Sequence, residues 1–227
     1  MKAMILAAGR GERMRPLTDL LPKPLLPVAG KPLIQYHLEA LSAAGLQDIV
    51  INHAWLGHLL PEHLGTGEQF GVTIQYSDEG AEGLETAGGI KKALPLLGDS
   101  PFVVVNGDVF CDYPYQQLGE KLLADCLAHL VLVPNPPQHP EGDFGINAMG
   151  HAIAQAQQSF TFSGIAIYRP EFFHPVAEGK QKLAPYLRQA MQQNKVTAEL
   201  YQGVWHDVGT VQRLTELSAQ LESGHVG

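Results

Sequence analysis

Residues 1–16 read MKAMILAAGRGERMRP, and the order of residue types in that stretch decides the fold. Lys2 opens a short apolar run that ends at Ala8, and Gly9 follows, as at the end of a buried parallel strand. Gly9 to Pro16 then reads as a loop gathering Arg10, Arg13 and Arg15 around two glycines. Apolar residues at Leu33, Ile34, Tyr36, Leu38 and Leu41, stopped by Gly45, predict a helix over 32–44. Strands are predicted over 48–52, 72–76, 101–106, 128–133 and 164–168, with an extended stretch over 196–201. Helices are predicted near 56–64, 86–97, 183–193 and 211–222. Such alternation predicts an α/β fold with a mainly parallel sheet. The stretch PNPPQHPEG (134–142) reads as a turn-rich loop, and no linker or repeat divides the chain, so 1–227 is expected to be one domain. Ligands of open α/β sheets bind beyond the carboxyl ends of strands, where strand order reverses. The strand ends at Gly9 and at Asp108 are therefore where a site is expected.

Of the 227 residues, 45% are hydrophobic and 17% charged, an ordinary globular balance. No apolar run approaches the roughly 20 residues of a membrane span. The first apolar run is also too short for a secretory leader, and arginines follow it instead of a cleavage site. Two cysteines, Cys111 and Cys126, without metal-type spacing suit a reduced, cytoplasmic protein. The net charge of −8 argues against nucleic-acid binding. The charge is unevenly spread. Residues 1–31 hold six basic side chains against two acidic ones, whereas the remainder holds nine against twenty-one. A local cationic patch on an anionic body fits a small polyanion.

The loop is neither a dinucleotide fingerprint, because Met14 stands where the third glycine belongs, nor a P-loop, because no Gly-Lys-Ser/Thr follows. Its physics is nonetheless suited to phosphate. Glycine lets backbone N–H groups approach phosphate oxygens, and arginines add bidentate charge. Pro22 and Pro24 bracket Lys23 and stiffen the backbone that carries it. The same residues also read as a solvated basic turn.

The motifs LAAGRGERMRPLT, PKP and GKP, at these distances, resemble the signature of sugar-1-phosphate nucleotidyltransferases. LETAGGIKKALPLLG (84–98), VVNGDVF (104–110), TFSGIAIY (161–168) and WHDVGT (205–210) extend the resemblance over nearly the whole chain. LETAGG, NGD, TFSGI and the short length are most similar to the branch that uridylylates N-acetylmuramate 1-phosphate in peptidoglycan recycling. The resemblance implies a Rossmann-like, glycosyltransferase-A-like α/β sandwich. It also implies a reaction in which a sugar 1-phosphate attacks the α-phosphorus of UTP and pyrophosphate leaves.

Residue by residue, the resemblance implies that Arg13 and Lys23 are catalytic and bind the nucleotide phosphates. Asp108 and Asp207 would hold Mg²⁺. Taken alone, Asp108 also reads as a turn former. Asp207 alone also reads as a helix N-cap, a role open to Thr210. Ala8, Gly9, Gly11 and the segment from Glu79 through Gly83 to Gly88 would face the nucleotide, with Glu79 either a base partner or a solvated loop charge. Asn106, Asp143, Gly145 and Ser163 are candidate sugar contacts.

Hexose-1-phosphate relatives carry a mid-chain Glu-Lys pair, yet no lysine lies between Lys121 and Lys180 here. The sugar phosphate is then left to the metal and the N-terminal cations. The chain ends soon after Leu214 and Leu217, so an appended acetyltransferase domain is not expected. A monomer is. His53, His58 and His63 are spaced by five, which turns each ring about 140° around a helix, so they read as surface residues rather than a metal cluster. Trp55 and Trp205 read as packing residues. The alternatives are another pairing, such as GTP with mannose 1-phosphate or CTP with phosphocholine, and a regulatory subunit that binds nucleotide sugars without turnover.

Overall fold

The computed structural model describes residues 1–224. The opening apolar run forms strand β1 (Ala3–Leu6), in which Ala3, Met4 and Ile5 are fully buried, as a strand covered on both faces requires. The remaining strands are β2 (Pro27–Val28), β3 (Lys31–Pro32), β4 (Asp48–His53), β5 (Thr73–Asp78), β6 (Phe102–Asn106), β7 (Val109–Cys111), β8 (Ala128–Val133), β9 (Gly145–Ile146), β10 (Ala152–Ile153), β11 (Thr161–Tyr168), β12 (Val196–Leu200) and β13 (Trp205–Asp207). The helices are α1 (Leu33–Ala43), α2 (Leu59–Leu64), α3 (Glu85–Leu97), α4 (Leu118–Lys121), α5 (Leu183–Gln192) and α6 (Val211–Glu222).

Seven strands form one sheet in the order β12-β8-β11-β6-β1-β4-β5. β11 runs antiparallel to both neighbours and every other pairing in this sheet is parallel, so the sheet is mixed and mainly parallel. The chain steps from β1 to β4 and β5 on one side, then crosses to β6 on the other. The reversal lies between β1 and β6, where a crevice must open at the strand ends. On one face, α3 and α5 cover Met4, Val50 and Phe102; on the other, Ile34 and Leu38 of α1 cover Ile5 and Ile51. A smaller apolar cluster joins Met14, Val28, Phe110, Val208 and Leu217, and so ties the arginine loop to β7 and α6. No helix among the described residues is long and apolar enough to cross a membrane.

The departures from expectation are local. The helix expected from 56 begins at Leu59, because a turn at Ala54–Gly57 comes first, with Leu56 at φ 51°. The extended stretch expected over 196–201 is β12, which ends at Leu200, and β13 then leaves the main sheet to pair with β7. The segment PVAGKP is a β2–β3 hairpin, with Ala29 and Gly30 both at positive φ, as a type I′ turn needs. The histidine reading needs correction. His53 ends β4 and is buried, with no room for a side chain at Gly57 beside its ring, and only His58 and His63 are exposed.

Candidate active site

The ends of β1 and β6 converge because Gly107 donates its N–H to the Leu6 carbonyl at 2.9 Å. A Cβ on Gly107 would lie 2.7 Å from that oxygen, so the close approach requires glycine. Beyond these ends lies a cleft of about 660 Å³. Ala8, Gly9, Gly11, Arg13 and Lys23 line it on the β1 side, and Asn106 and Asp108 line it on the β6 side.

Each charged group has an identifiable support. Lys23 begins a short 3₁₀ turn opened by Pro22, and its buried stem delivers the ammonium to Asp108, with Nζ 2.7 Å from Oδ2. Arg13 sits on another 3₁₀ turn, anchored by the fully buried Met14. Gly11 opens that turn at φ 67°, and its carbonyl accepts the Thr18 hydroxyl at 2.8 Å. Gly209 keeps the Arg13 end open. A Cβ there would lie 3.0 Å from Asp207 Oδ1 and 3.1 Å from an Arg13 guanidinium nitrogen.

Asp207 is not itself part of the cleft lining; the β7–β13 ribbon carries it next to Gly209, which is. Asp207 pairs in register with Val109, and the Val208 N–H donates to the Asp108 carbonyl at 3.0 Å. The backbones of Asp108 and Asp207, far apart in sequence, are therefore brought close together. Arg213 donates to the Asp207 carboxylate, and Thr210, the N-cap of α6, holds the guanidinium from its other edge. Asp112 fixes the ribbon's entry, accepting from the Val204 N–H at 2.8 Å and from the Tyr201 hydroxyl. Behind Asp108, burial pushes the His37 imidazole down to about 4, against the raising effects of a Val109 backbone hydrogen bond and Asp108. His37 is neutral at neutral pH and adds no cation.

No group of three or more His, Cys, Asp or Glu side chains suited to a metal occurs among the described residues. An all-protein cage is therefore not what this site offers. Two carboxylates on neighbouring backbone, each matched by a cation, suit a hard divalent ion that takes one or two carboxylates and fills its other positions with phosphate and water. On that donor chemistry Asp108 and Asp207 suit a hard divalent cation.

Several sequence-derived contacts need correction. Glu79 is buried and is no solvated charge: Oε1 accepts from Asn52 Nδ2 and Oε2 from the Leu84 N–H, each at 2.6 Å. Asn52 in turn accepts the Ala7 N–H at 2.8 Å, so Glu79 ties its loop to the end of β1. Gly83, at φ 64°, does line the cleft, 3.4 Å from the Ala8 carbonyl measured from its would-be Cβ. Gly88 does not; it is buried where a methyl group would overlap the Gly179 carbonyl oxygen. Asp143, Gly145 and Ser163 also lie off the cleft lining. Asp143 accepts from the Phe162 N–H and faces His139, Gly145 is packed against Ala156, and the Ser163 hydroxyl is spent on the Val131 carbonyl and the Ile165 N–H. Asn106 does line the cleft, packed over Gly164, which at φ 81° leaves room for it in an irregular part of β11.

Asn52, Asp112, Gly107, Gly164 and Lys180 were not singled out from sequence. The glycines of NGD and FSGI carried a signal, as isolated glycines in strand patterns mark close approaches. Asn52 and Asp112 carried none, because each matters only through distant partners, and Lys180 carried none because only the fold brings it to the cleft.

The sequence profile described as nucleotidyl transferase matches residues 2–224. The chain is 55% identical over 225 residues to the N-acetylmuramate alpha-1-phosphate uridylyltransferase of Neisseria meningitidis serogroup B, covering 96% of this chain and 97% of that protein. It is 33% identical over 232 residues to the protein of the same name from Caulobacter vibrioides, covering 96% of each. Among solved structures it is similar to a Bacillus anthracis protein carrying the name of a glucose-1-phosphate thymidylyltransferase, with a TM-score of 0.83 and 24% identity over 96% of this chain and 94% of that one. At that identity the likeness speaks to the fold.

Proposed function

Since the chain belongs to the nucleotidyl transferase family, we propose that it transfers a uridylyl group from UTP to N-acetylmuramic acid α-1-phosphate, releasing pyrophosphate and UDP-N-acetylmuramic acid. The observation that carries this reading is the 55% identity, spread over nearly the full length of both chains, to a uridylyltransferase with that acceptor in its name. We infer Mg²⁺ as the metal, and a cytoplasmic monomer serving peptidoglycan recycling as the setting.

The reaction needs no protein nucleophile. The acceptor phosphate, largely ionised at neutral pH, forms a bond to the α-phosphorus of UTP. The bond from that phosphorus to the α,β-bridging oxygen breaks on the opposite side, and the electron pair leaves on pyrophosphate. The obstacle is mutual repulsion between two anions, so the protein's contribution is positioning and charge neutralisation. Lys23 presents its ammonium from a buried stem with little entropy left to lose. Arg13 offers a planar fork to the departing phosphates, and backbone N–H groups at Ala8 to Gly11 can meet their oxygens. Asp108 and Asp207 would hold Mg²⁺, which when bound supplies Lewis-acid polarisation of phosphate oxygens. Gly83, facing Ala8 across the cleft, offers main-chain groups to the imide edge of uracil.

The test is a pyrophosphate-release assay over the four nucleoside triphosphates, each paired with N-acetylmuramic acid, N-acetylglucosamine, glucose and mannose 1-phosphates. The highest kcat/KM is expected for UTP with N-acetylmuramic acid 1-phosphate. A higher value for any other pair would reassign the substrates.

The ribbon supplies a second expectation. Asp112→Ala removes the acceptor that fixes the entry to β13, so Asp207 should sit less well. Kcat is expected to fall about ten-fold, since a 1 Å misplacement can cost up to about 100-fold, and Tm by roughly 2–4 °C. Steady-state kinetics and thermal melts check both. An unchanged kcat would mean that β13 keeps its register without the tie.

A further inference from the structure

Resting on the acceptor assigned above, we propose that Lys180 is the cation that receives the acceptor's lactyl carboxylate, and so helps decide which sugar phosphate the cleft takes. Four basic side chains line the cleft: Arg10, Arg13, Lys23 and Lys180. Three come from the first two dozen residues, whose apolar anchors Met14 and Leu25 pack with α1 and α6. Lys180 arrives from the opposite face of the sheet, where α3 and α5 pack.

It is carried by a strap, residues 177–182, that leads into α5. The strap is fixed to the start of α3. The Gln181 carbonyl accepts the N–H groups of Ala87 at 3.0 Å and Gly88 at 3.1 Å, and the Gln181 N–H donates to the Leu84 carbonyl at 2.9 Å. Gly88 lacks a side chain because the Gly179 carbonyl occupies that space. α3 is itself rooted in the core by Ala87, Ile90 and Ala93, all fully buried. The strap backbone is therefore a firm mounting, and the lysine on it is exposed at the rim.

The other cations of the cleft come from the N-terminal segment, beside the end of β1. Lys23 is on Asp108, the Arg10 guanidinium lies 4.3 Å from the Trp55 ring centre, and Arg13 faces the space over Gly209 that Asp207 also borders. Lys180 has no hydrogen-bond or ion-pair partner among the described residues. The reacting phosphates belong with Lys23, Arg13 and the two aspartates. A lone ammonium on the far wall suits an anion away from the reacting centre. N-acetylmuramic acid 1-phosphate carries such an anion and N-acetylglucosamine 1-phosphate does not; the two differ by one lactyl ether. A charge-assisted hydrogen bond to that carboxylate favours the muramyl acceptor. With the neutral acceptor the ammonium stays in water at little cost, so the discrimination is by attraction and is modest.

The experiment compares kcat/KM for these two acceptors at saturating UTP in the wild type, Lys180→Met and Lys180→Arg. The ratio of muramyl to glucosaminyl kcat/KM is expected to fall about ten-fold in the methionine variant, through the KM of the muramyl acceptor, and to recover in the arginine variant. In the wild type the ratio should also decline with added salt, and in Lys180→Met it should not. If the glucosaminyl acceptor turns over too slowly to follow, its inhibition constant takes the place of its kcat/KM. Equal losses for both acceptors, or a raised KM for UTP, would overturn the inference by assigning Lys180 to the phosphate or the nucleotide. An unchanged ratio would overturn it as well. A wild type that does not use the muramyl acceptor at all removes the proposed substrate itself, an outcome read before any variant is made.

Discussion

Replacing Lys23 with methionine is expected to lower kcat/KM by about 1,000-fold, within the range seen when a preorganised charge is removed from a transition state. The size follows from where the charge sits. Lys23 is 7% exposed, while its partner Asp108 keeps 41% of its side-chain surface in contact with solvent. A buried stem with an ammonium at the cleft is a fixed positive charge, and water cannot replace it without reorganising. Methionine keeps most of the stem's packing volume, so the core beneath should survive. Asp108 loses its partner but remains hydrated, and the expected stability loss is about 1 kcal/mol, or roughly 2–4 °C in Tm. Circular dichroism and thermal melts establish the fold, and steady-state kinetics establish the loss. Turnover within a few-fold of wild type would take Lys23 out of the reaction.

The second large effect is expected from the aspartates. Asp207→Asn should reduce kcat/KM by about 100–1,000-fold at fixed Mg²⁺, and activity should saturate only at higher metal concentration. The fold should tolerate it, because Arg213 keeps the Asp207 carbonyl and the Thr210 hydroxyl as acceptors. Asp108→Asn should do the same from the other strand of the ribbon. Metal titrations of activity distinguish this from simple misfolding, since activity recovers with added Mg²⁺ only if the lost group was a ligand. Two asparagine variants that both retain wild-type metal dependence would dissolve the pairing.

What was legible in the sequence was what nearest neighbours along the chain determine. An apolar run stopped by glycine marked β1, and VVVNGD marked both β6 and the aspartate at its end. A 3.6-residue rhythm marked α1, α3, α5 and α6. The basic loop stood out as a candidate anion site because arginine and glycine are informative wherever they stand. Other features depend on contacts that composition cannot reveal. Gly88 looks like one more glycine near a phosphate loop until the strap residue Gly179, some ninety positions later, is seen to occupy its Cβ space. Glu79 looks like a surface charge until Asn52 and the Leu84 N–H consume both its oxygens. His53 looks like a helical surface residue because the turn before α2 is hidden in AWLG, a sequence with only one turn-former. The pairing of β13 with β7 is invisible for the same reason: nothing local says that Tyr201 will turn to Asp112.

The β7–β13 ribbon stands outside the seven-stranded sheet, and both aspartates proposed as metal ligands hang from it or its edge. The proposed metal ligands are thus mounted on a cantilever instead of the main beam. Small insertions or swaps in that two-stranded arm can shift carboxylate spacing by fractions of an ångström while the central scaffold keeps its register. An architecture divided in this way lets selection tune chemistry and durability on separate parts of one molecule.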